Sequence, residues 1–255
     1  MAAIAIPTEK RKASRIWTQQ KFLMIGQAGT GKSEFWAQGD RTLFIDTEGN
    51  LNHLDCFKMP VDKPVRTMDA LRDIVTSLIQ AKQASKFPFD TVVVDTLDKL
   101  ISPAVNDELI IRAQTKYRGA IEKGMQINTI GDIPDGNGWA WQKELVNNVL
   151  DKLCLLDVAV VLIGHVQQKK IETPTKKYDS MTINIGGQLG VGMLGWANHI
   201  LHVEGLPIGG KIERYVYSLP SMEREAKSHG GIVPSPTKWG QDAKDNYNKL
   251  RQLFT

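Results

Sequence analysis

Short apolar blocks recur along this chain, with room for helices between them. Phe22–Ile25, Thr42–Asp46 (Thr-Leu-Phe-Ile-Asp), Thr91–Asp95 (Thr-Val-Val-Val-Asp) and Val158–Gly164 are continuous and largely aliphatic. Runs of that kind suit strands buried on both faces, in a parallel sheet covered by helices. Asp69 to Ala84 instead repeats apolar residues at helical spacing, with Leu71, Ile74, Val75, Leu78 and Ile79 on one side. Leu97 to Asp157 reads as two helical segments around a Gly-rich break at Gly131–Gly138. Ile200–Glu204 and Lys211–Leu219 read as two further strands joined by a turn over Gly205–Gly210. Pro220 to Gly240 reads as loop, and Asp242 to Phe254 as an amphipathic helix. The pattern predicts an α/β fold with a mostly parallel central sheet and helices on both faces. Residues 1–20 are expected to form an N-terminal arm, polar and basic after the apolar tip Ala3–Ile6. Residues 21–255 are expected to form one domain ending in the loop and helix.

Composition narrows the class without naming a function. The chain has 255 residues, 42 % of them hydrophobic and 24 % charged, as in soluble globular proteins. No apolar run approaches the ~18 residues of a membrane span. The opening Met-Ala-Ala-Ile-Ala-Ile-Pro is too short for a signal-peptide core. Cys56 and Cys154 lack metal-ligand spacing and read as reduced thiols, so a cytoplasmic location is expected. The net charge of +4 is compatible with an anionic partner but does not identify one.

Chemistry enters at Gly26-Gln27-Ala28-Gly29-Thr30-Gly31-Lys32-Ser33, which follows the first strand and opens into Glu34-Phe35-Trp36-Ala37. This is the GxxxxGK[ST] pattern between a strand and a helix, the setting a phosphate-binding loop requires. Its glycines let backbone N–H groups turn inward, and the helix dipole adds positive potential. Residues Gly26 to Glu34 are therefore expected to cradle the phosphates of a nucleoside triphosphate. Lys32 is expected to reach the β- and γ-phosphates, and the hydroxyl of Ser33 to hold Mg²⁺.

Three strand tips offer partners for that loop. Asp95, followed by Thr96, ends the Thr-Val-Val-Val strand and is the expected second Mg²⁺ ligand. Asp46-Thr47-Glu48 ends the strand after the loop's helix, and Glu48 is the candidate base for a hydrolytic water. His165 ends another strand at the same edge, where it can sense the γ-phosphate or simply be a satisfied structural histidine.

Together these elements resemble the RecA/RadA recombinase core, over about residues 20–230. More closely they resemble RecA-like ATPases of phages, the Sak-type single-strand annealing proteins. That resemblance implies that Glu48 is the catalytic base, that Asp95 holds Mg²⁺, and that His165 stands where RecA has Gln. It implies a DNA-contacting loop running from Gln167 to Gly187, with Lys169, Lys170, Lys176 and Lys177 against phosphates. It implies a second DNA loop, for which Arg112, Lys116, Arg118, Lys123, Trp139 and Trp141 are candidates. A basic residue acting in a neighbouring subunit is implied after the last strand, with Lys227 the first choice and Arg224 the second. Ala3–Ile6 would add a strand to the next subunit. The implied partners are single-stranded DNA, further copies in a ring or filament, and a single-strand DNA-binding protein. Two other readings stay open: a P-loop kinase of a small molecule, though no Arg-rich lid is visible, and a nucleotide-switched replication or helicase-loader partner.

Overall fold

Residues 15–172 and 175–254 are described by a computed structural model. In chain order the strands are β1 (Lys21–Gly26), β2 (Thr42–Asp46), β3 (Phe57–Met59), β4 (Thr91–Asp95) and β5 (Ala159–Glu172). They continue with β6 (Lys177–Ile183), β7 (His199–Ile208), β8 (Lys211–Tyr217), β9 (Lys227–Ser228) and β10 (Thr237–Lys238). The helices are α1 (Lys32–Ala37), α2 (Met68–Gln83), α3 (Leu97–Lys99) and α4 (Asn106–Lys116). After them come α5 (Arg118–Ile121), α6 (Asn137–Cys154), α7 (Gly187–Trp196) and α8 (Ala243–Gln252).

The sheet runs in the order β10-β8-β7-β1-β5-β4-β2-β3. Every pairing from β7 through to β3 is parallel. β8 and β10 extend the edge antiparallel, β6 folds back on β5, and β9 pairs with β7. The sheet is mostly parallel, as the aliphatic blocks predict. Because parallel strands end on one side, the tips of β1, β2, β4 and β5 share a single edge.

The pleat sends alternate residues of each strand to opposite cores. Leu23, Ile25, Val92 and Val94 pack under α2, α4, α6 and α7. Phe22, Met24, Phe44 and Val93 pack under an aromatic layer from α1 and α8. At six residues α1 is too short to be stable alone. It is held by Phe35 and Trp36, both almost fully buried against Trp17, Tyr247 and Trp239. α2 is capped by the Thr67 side chain, and α8 by Asp242.

Several sequence expectations are corrected here. The packed domain begins before residue 21: Trp17 is 3 % exposed, packs at tilted and edge-on angles among Phe22, Trp36 and Phe254, and donates to Thr91 Oγ1 at 2.8 Å. The expected turn over 205–210 is mostly strand, with only Gly209 and Gly210 at positive φ between β7 and β8. The loop expected from Gln167 to Gly187 is instead largely a β-hairpin, β5 with β6, paired from Val166↔Ile183 to Glu172↔Lys177. Ala3–Ile6 lies outside the described residues. No helix among the described residues is long and apolar enough to cross a membrane, and Cys56 and Cys154 are both free.

Candidate nucleotide site

Register brings the three tips to the phosphate-binding loop. Gly26 pairs with His165, Asp95 with Ile163 on the same strand β5, and Asp46 with Asp95. Gly26 has no room for a side chain, since a Cβ there would lie 2.4 Å from the Val203 carbonyl oxygen. Gly29 and Gly31 adopt φ of 76° and 83°, the left-handed region that favours glycine. The loop closes on its own lysine: Lys32 Nζ donates to the carbonyls of Gly26 at 3.0 Å and Gln27 at 2.8 Å. Thr30 donates to the Gln27 carbonyl at 2.9 Å.

The Ser33 hydroxyl neighbours the Asp95 carboxylate, and hydrogen bonding from it favours the charged form. Burial pushes the Asp95 carboxyl up to about 6, against that hydrogen bond, with Glu48 and Asp46 pushing the same way and Lys32 opposing. Burial also lowers the Lys32 ammonium, while Asp95, Asp98 and Glu48 oppose the shift. These are opposite charges desolvated in one cleft. The Thr96 hydroxyl is buried in the same cleft without a protein partner. Among the described residues no group of three or more His, Cys, Asp or Glu is arranged to hold a metal by itself. One carboxylate, one hydroxyl and an orphan hydroxyl nearby fit Mg²⁺, which keeps waters and takes phosphate oxygens.

Glu48 is placed by its neighbours. Asp46 Oδ1 accepts from the backbone N–H of Gly49 at 2.6 Å and of Glu48 at 3.2 Å, so the first acid shapes the turn that presents the second. Thr47 ties that turn to the β4 tip, with its N–H on the Asp95 carbonyl and its hydroxyl on the Thr96 carbonyl. His165 Nδ1 lies 2.9 Å from Asp98 Oδ2, and the His165 backbone N–H donates to Asp98 Oδ1 at 3.3 Å. Glu48, Asp95, Thr96, His165 and the loop line a cleft of about 270 Å³. Larger cavities, of about 520 Å³ beside α8 and about 810 Å³ between α6 and α7, hold none of these acids or loop residues.

The remaining sequence candidates fall elsewhere. Lys169, Lys170, Lys176 and Lys177 lie on the hairpin, where Lys170 faces Asp179 and Lys177 bonds Glu172 at 2.7 Å. Lys227 donates to the Leu194 carbonyl at 2.8 Å, at the end of α7, and pairs with Ile200, well below the Gly26 tip. Arg224 is bonded to both oxygens of Glu204, at 2.7 and 3.2 Å, and stacks over Tyr217 at 4.0 Å. Neither lines the nucleotide cleft of its own chain. Trp141 is covered by Arg112 and Lys116, at 4.5 and 4.9 Å, whereas Trp139 is 51 % exposed. Arg118 pairs with Glu122 at 3.2 Å. Asp98 and Arg214 are cleft-side residues that sequence reasoning missed. Asp98 had a faint signal, three positions after Asp95; Arg214 had none.

Among curated proteins, none matches the sequence. A solved KaiC-like protein from the hyperthermophilic archaeon Pyrococcus horikoshii OT3 is similar in structure, with a TM-score of 0.48 at 11 % identity. That alignment covers 89 % of this chain and 87 % of the other. A family model described as an AAA domain matches residues 18–229, most of the sheet and all of the cleft. With its phosphate loop, buried Asp95 and strand-tip acid in one cleft of a P-loop ATPase fold, the chain belongs to that AAA domain family.

Proposed function

We propose that this protein is a Mg²⁺-dependent, DNA-stimulated ATPase that binds and releases single-stranded DNA as an oligomer, in recombination or annealing. The observation that carries the reading is the continuity of β5. Its core half ends at His165 in the cleft, and the same strand runs on into the lysine-bearing hairpin.

In this reading the backbone amides of residues 26–34 and the Lys32 ammonium bind the polyphosphate. Ser33 and Asp95 would hold Mg²⁺, which when bound neutralises charge on the phosphates. Glu48 orients a water and takes its proton as the water oxygen attacks the γ-phosphorus, with ADP leaving. His165, held by Asp98, contacts the γ-phosphate and passes its presence to Val166 and beyond. Between Lys169 and Asp179 the hairpin carries four lysines against Glu172 and Asp179, a net charge of +2 that favours DNA phosphates.

The stem of β6 supports this coupling. Met181 N–H donates to the Glu223 carbonyl at 2.7 Å, and the Thr182 hydroxyl to Glu225 at 2.6 Å. The segment holding Arg224 and Lys227 is thus tied to the hairpin. For either cation to serve a neighbouring subunit, it must first leave Glu204 or Leu194.

The test is the rate of ATP hydrolysis with and without single-stranded DNA, with Glu48→Gln as control. Strong stimulation, lost in the variant, is expected. Hydrolysis without DNA binding, even with a non-hydrolysable ATP analogue, would point to a nucleotide switch for a protein target. Transfer of phosphate to a small molecule would point to a kinase.

A further inference from the structure

Arg214 enters the nucleotide cleft from the side of the sheet opposite the acids. β8 lies beyond β7 on one side of β1, whereas β4 and β2, which bear Asp95 and precede Glu48, lie on the other. The guanidinium rests against the phosphate loop: a Cβ placed on Gly31 would be 3.3 Å from Nη1 and 3.4 Å from Cζ. Its acidic neighbour is Glu34, at 3.8 Å, too far for a hydrogen bond, and both side chains are nearly half exposed. An arginine with so loose a partner keeps most of its five donors available.

The backbone beneath it is firmly placed. Arg214 pairs with Gly205 of β7, and its carbonyl accepts from the Trp239 N–H at 2.9 Å. Trp239 in turn stacks on Phe35 of α1, with ring centres 4.7 Å apart and planes 2° from parallel. The helix that begins at the loop and the strand that bears Arg214 are therefore clamped together. Among the described residues, Lys32 and Arg214 are the lysine and arginine side chains that line this cleft, set against Glu34, Glu48 and Asp95. Lys32 is 5 % exposed and bonded to loop carbonyls.

We propose that Arg214 is a same-subunit phosphate-binding residue, gripping the part of the polyphosphate that ATP and ADP share. The planar fork of arginine matches phosphate oxygens in pairs. Gly31 and Glu34 belong to the stretch whose amides cradle the inner phosphates. Glu34 is then the partner Arg214 returns to when the nucleotide leaves. The assignment rests on the nucleotide-site reading and not on the DNA reading.

The test measures the affinity of the full chain for ATP and for ADP, with Mg²⁺ and without DNA, by titration calorimetry. Arg214→Ala and Arg214→Gln should each weaken both nucleotides alike, on the order of tenfold, the scale of one charged hydrogen bond. Arg214→Lys should recover part of the loss. Unchanged affinities in the folded Gln variant would overturn the proposal. So would a loss confined to ATP, which would place the arginine at the γ-phosphate. No nucleotide binding by the unsubstituted chain would overturn the site itself, and Arg214 with it.

Discussion

Asp98 Oδ2 holds His165 Nδ1 at 2.9 Å across 67 residues of chain, joining the helical turn after the β4 tip to the β5 tip. The hydrogen bond to Asp98 raises the His165 pKa, with burial and Lys32 opposing and Glu48 assisting. The same pair holds the Asp98 carboxyl below its ordinary value, although burial pushes the other way. With Nδ1 committed to Asp98, Nε2 is the ring nitrogen left for a ligand.

The pair predicts a signed pH effect on stability. A histidine whose folded pKa is raised stabilises the fold below its unfolded value of about 6.5, and the gain is lost as pH rises through the folded pKa. Asp98 contributes above its unfolded value of about 3.9, and its share is lost as pH falls through its lowered value. The stability gap between the natural chain and Asp98→Asn should therefore be widest in mildly acidic buffer and narrow above neutrality. Thermal melts from pH 5 to 9 measure it, and a gap independent of pH would refute the coupling.

Glu48 and Asp95 should separate binding from chemistry. Glu48→Gln keeps the shape of the side chain and removes the base. Hydrolysis should fall roughly 10²- to 10⁴-fold with nucleotide affinity retained. Asp95→Asn should lose the Mg²⁺ dependence of nucleotide binding. Single-turnover hydrolysis and titration with and without Mg²⁺ distinguish the two.

The hairpin lysines should be read through salt. Replacing Lys169, Lys170, Lys176 and Lys177 by Ala should weaken single-stranded DNA binding and flatten its dependence on salt. The log–log slope should fall by up to about 3, at roughly 0.7 for each phosphate that a lysine no longer neutralises. Fluorescence anisotropy across a salt series checks this, and an unchanged slope would remove the hairpin from the DNA interface.

His199 gives a second, opposite pH signature. It is fully buried, stacks on Phe22 at 5.2 Å, and lies 3.2 Å from Gln20 and 3.3 Å from Ser228. Burial lowers its pKa to about 4, with His229 and Lys227 adding to the effect. The unfolded chain then binds the proton first, so stability falls as pH drops from about 6.5 toward 4. His199→Gln should flatten denaturant midpoints across that window, and an unaltered slope would count against the assignment.

The phosphate loop, Asp95 and Glu48 were legible in the chain because their signals are local. Each is a few residues at the end of an aliphatic run, and parallel strands must place such ends at one edge. Continuous burial on both faces made the strands readable for the same reason. The three-residue β3 and the short β9 and β10 carry too few residues for any period to show. β6 and α7 were hidden by polar and glycine-rich sequence, which looks like loop until a partner strand or helix supplies the pairing.

Tertiary structure decided the rest. Nothing in the order of residues tells Lys227 that its ammonium meets the carbonyl of Leu194, or Arg224 that Glu204 and Tyr217 lie beside it. Asp98 meets His165, and Arg214 meets Gly31, only because β5 is inserted between β1 and β4 while β8 folds back against β7. The chain by itself marked the loop and strand-end candidates for phosphate and metal, since those signals depend on residue type and immediate neighbours. Which distant charges neutralise, aim or restrain those groups is settled by sheet order, because side-chain electrostatics acts over ångströms of space and not over positions in sequence.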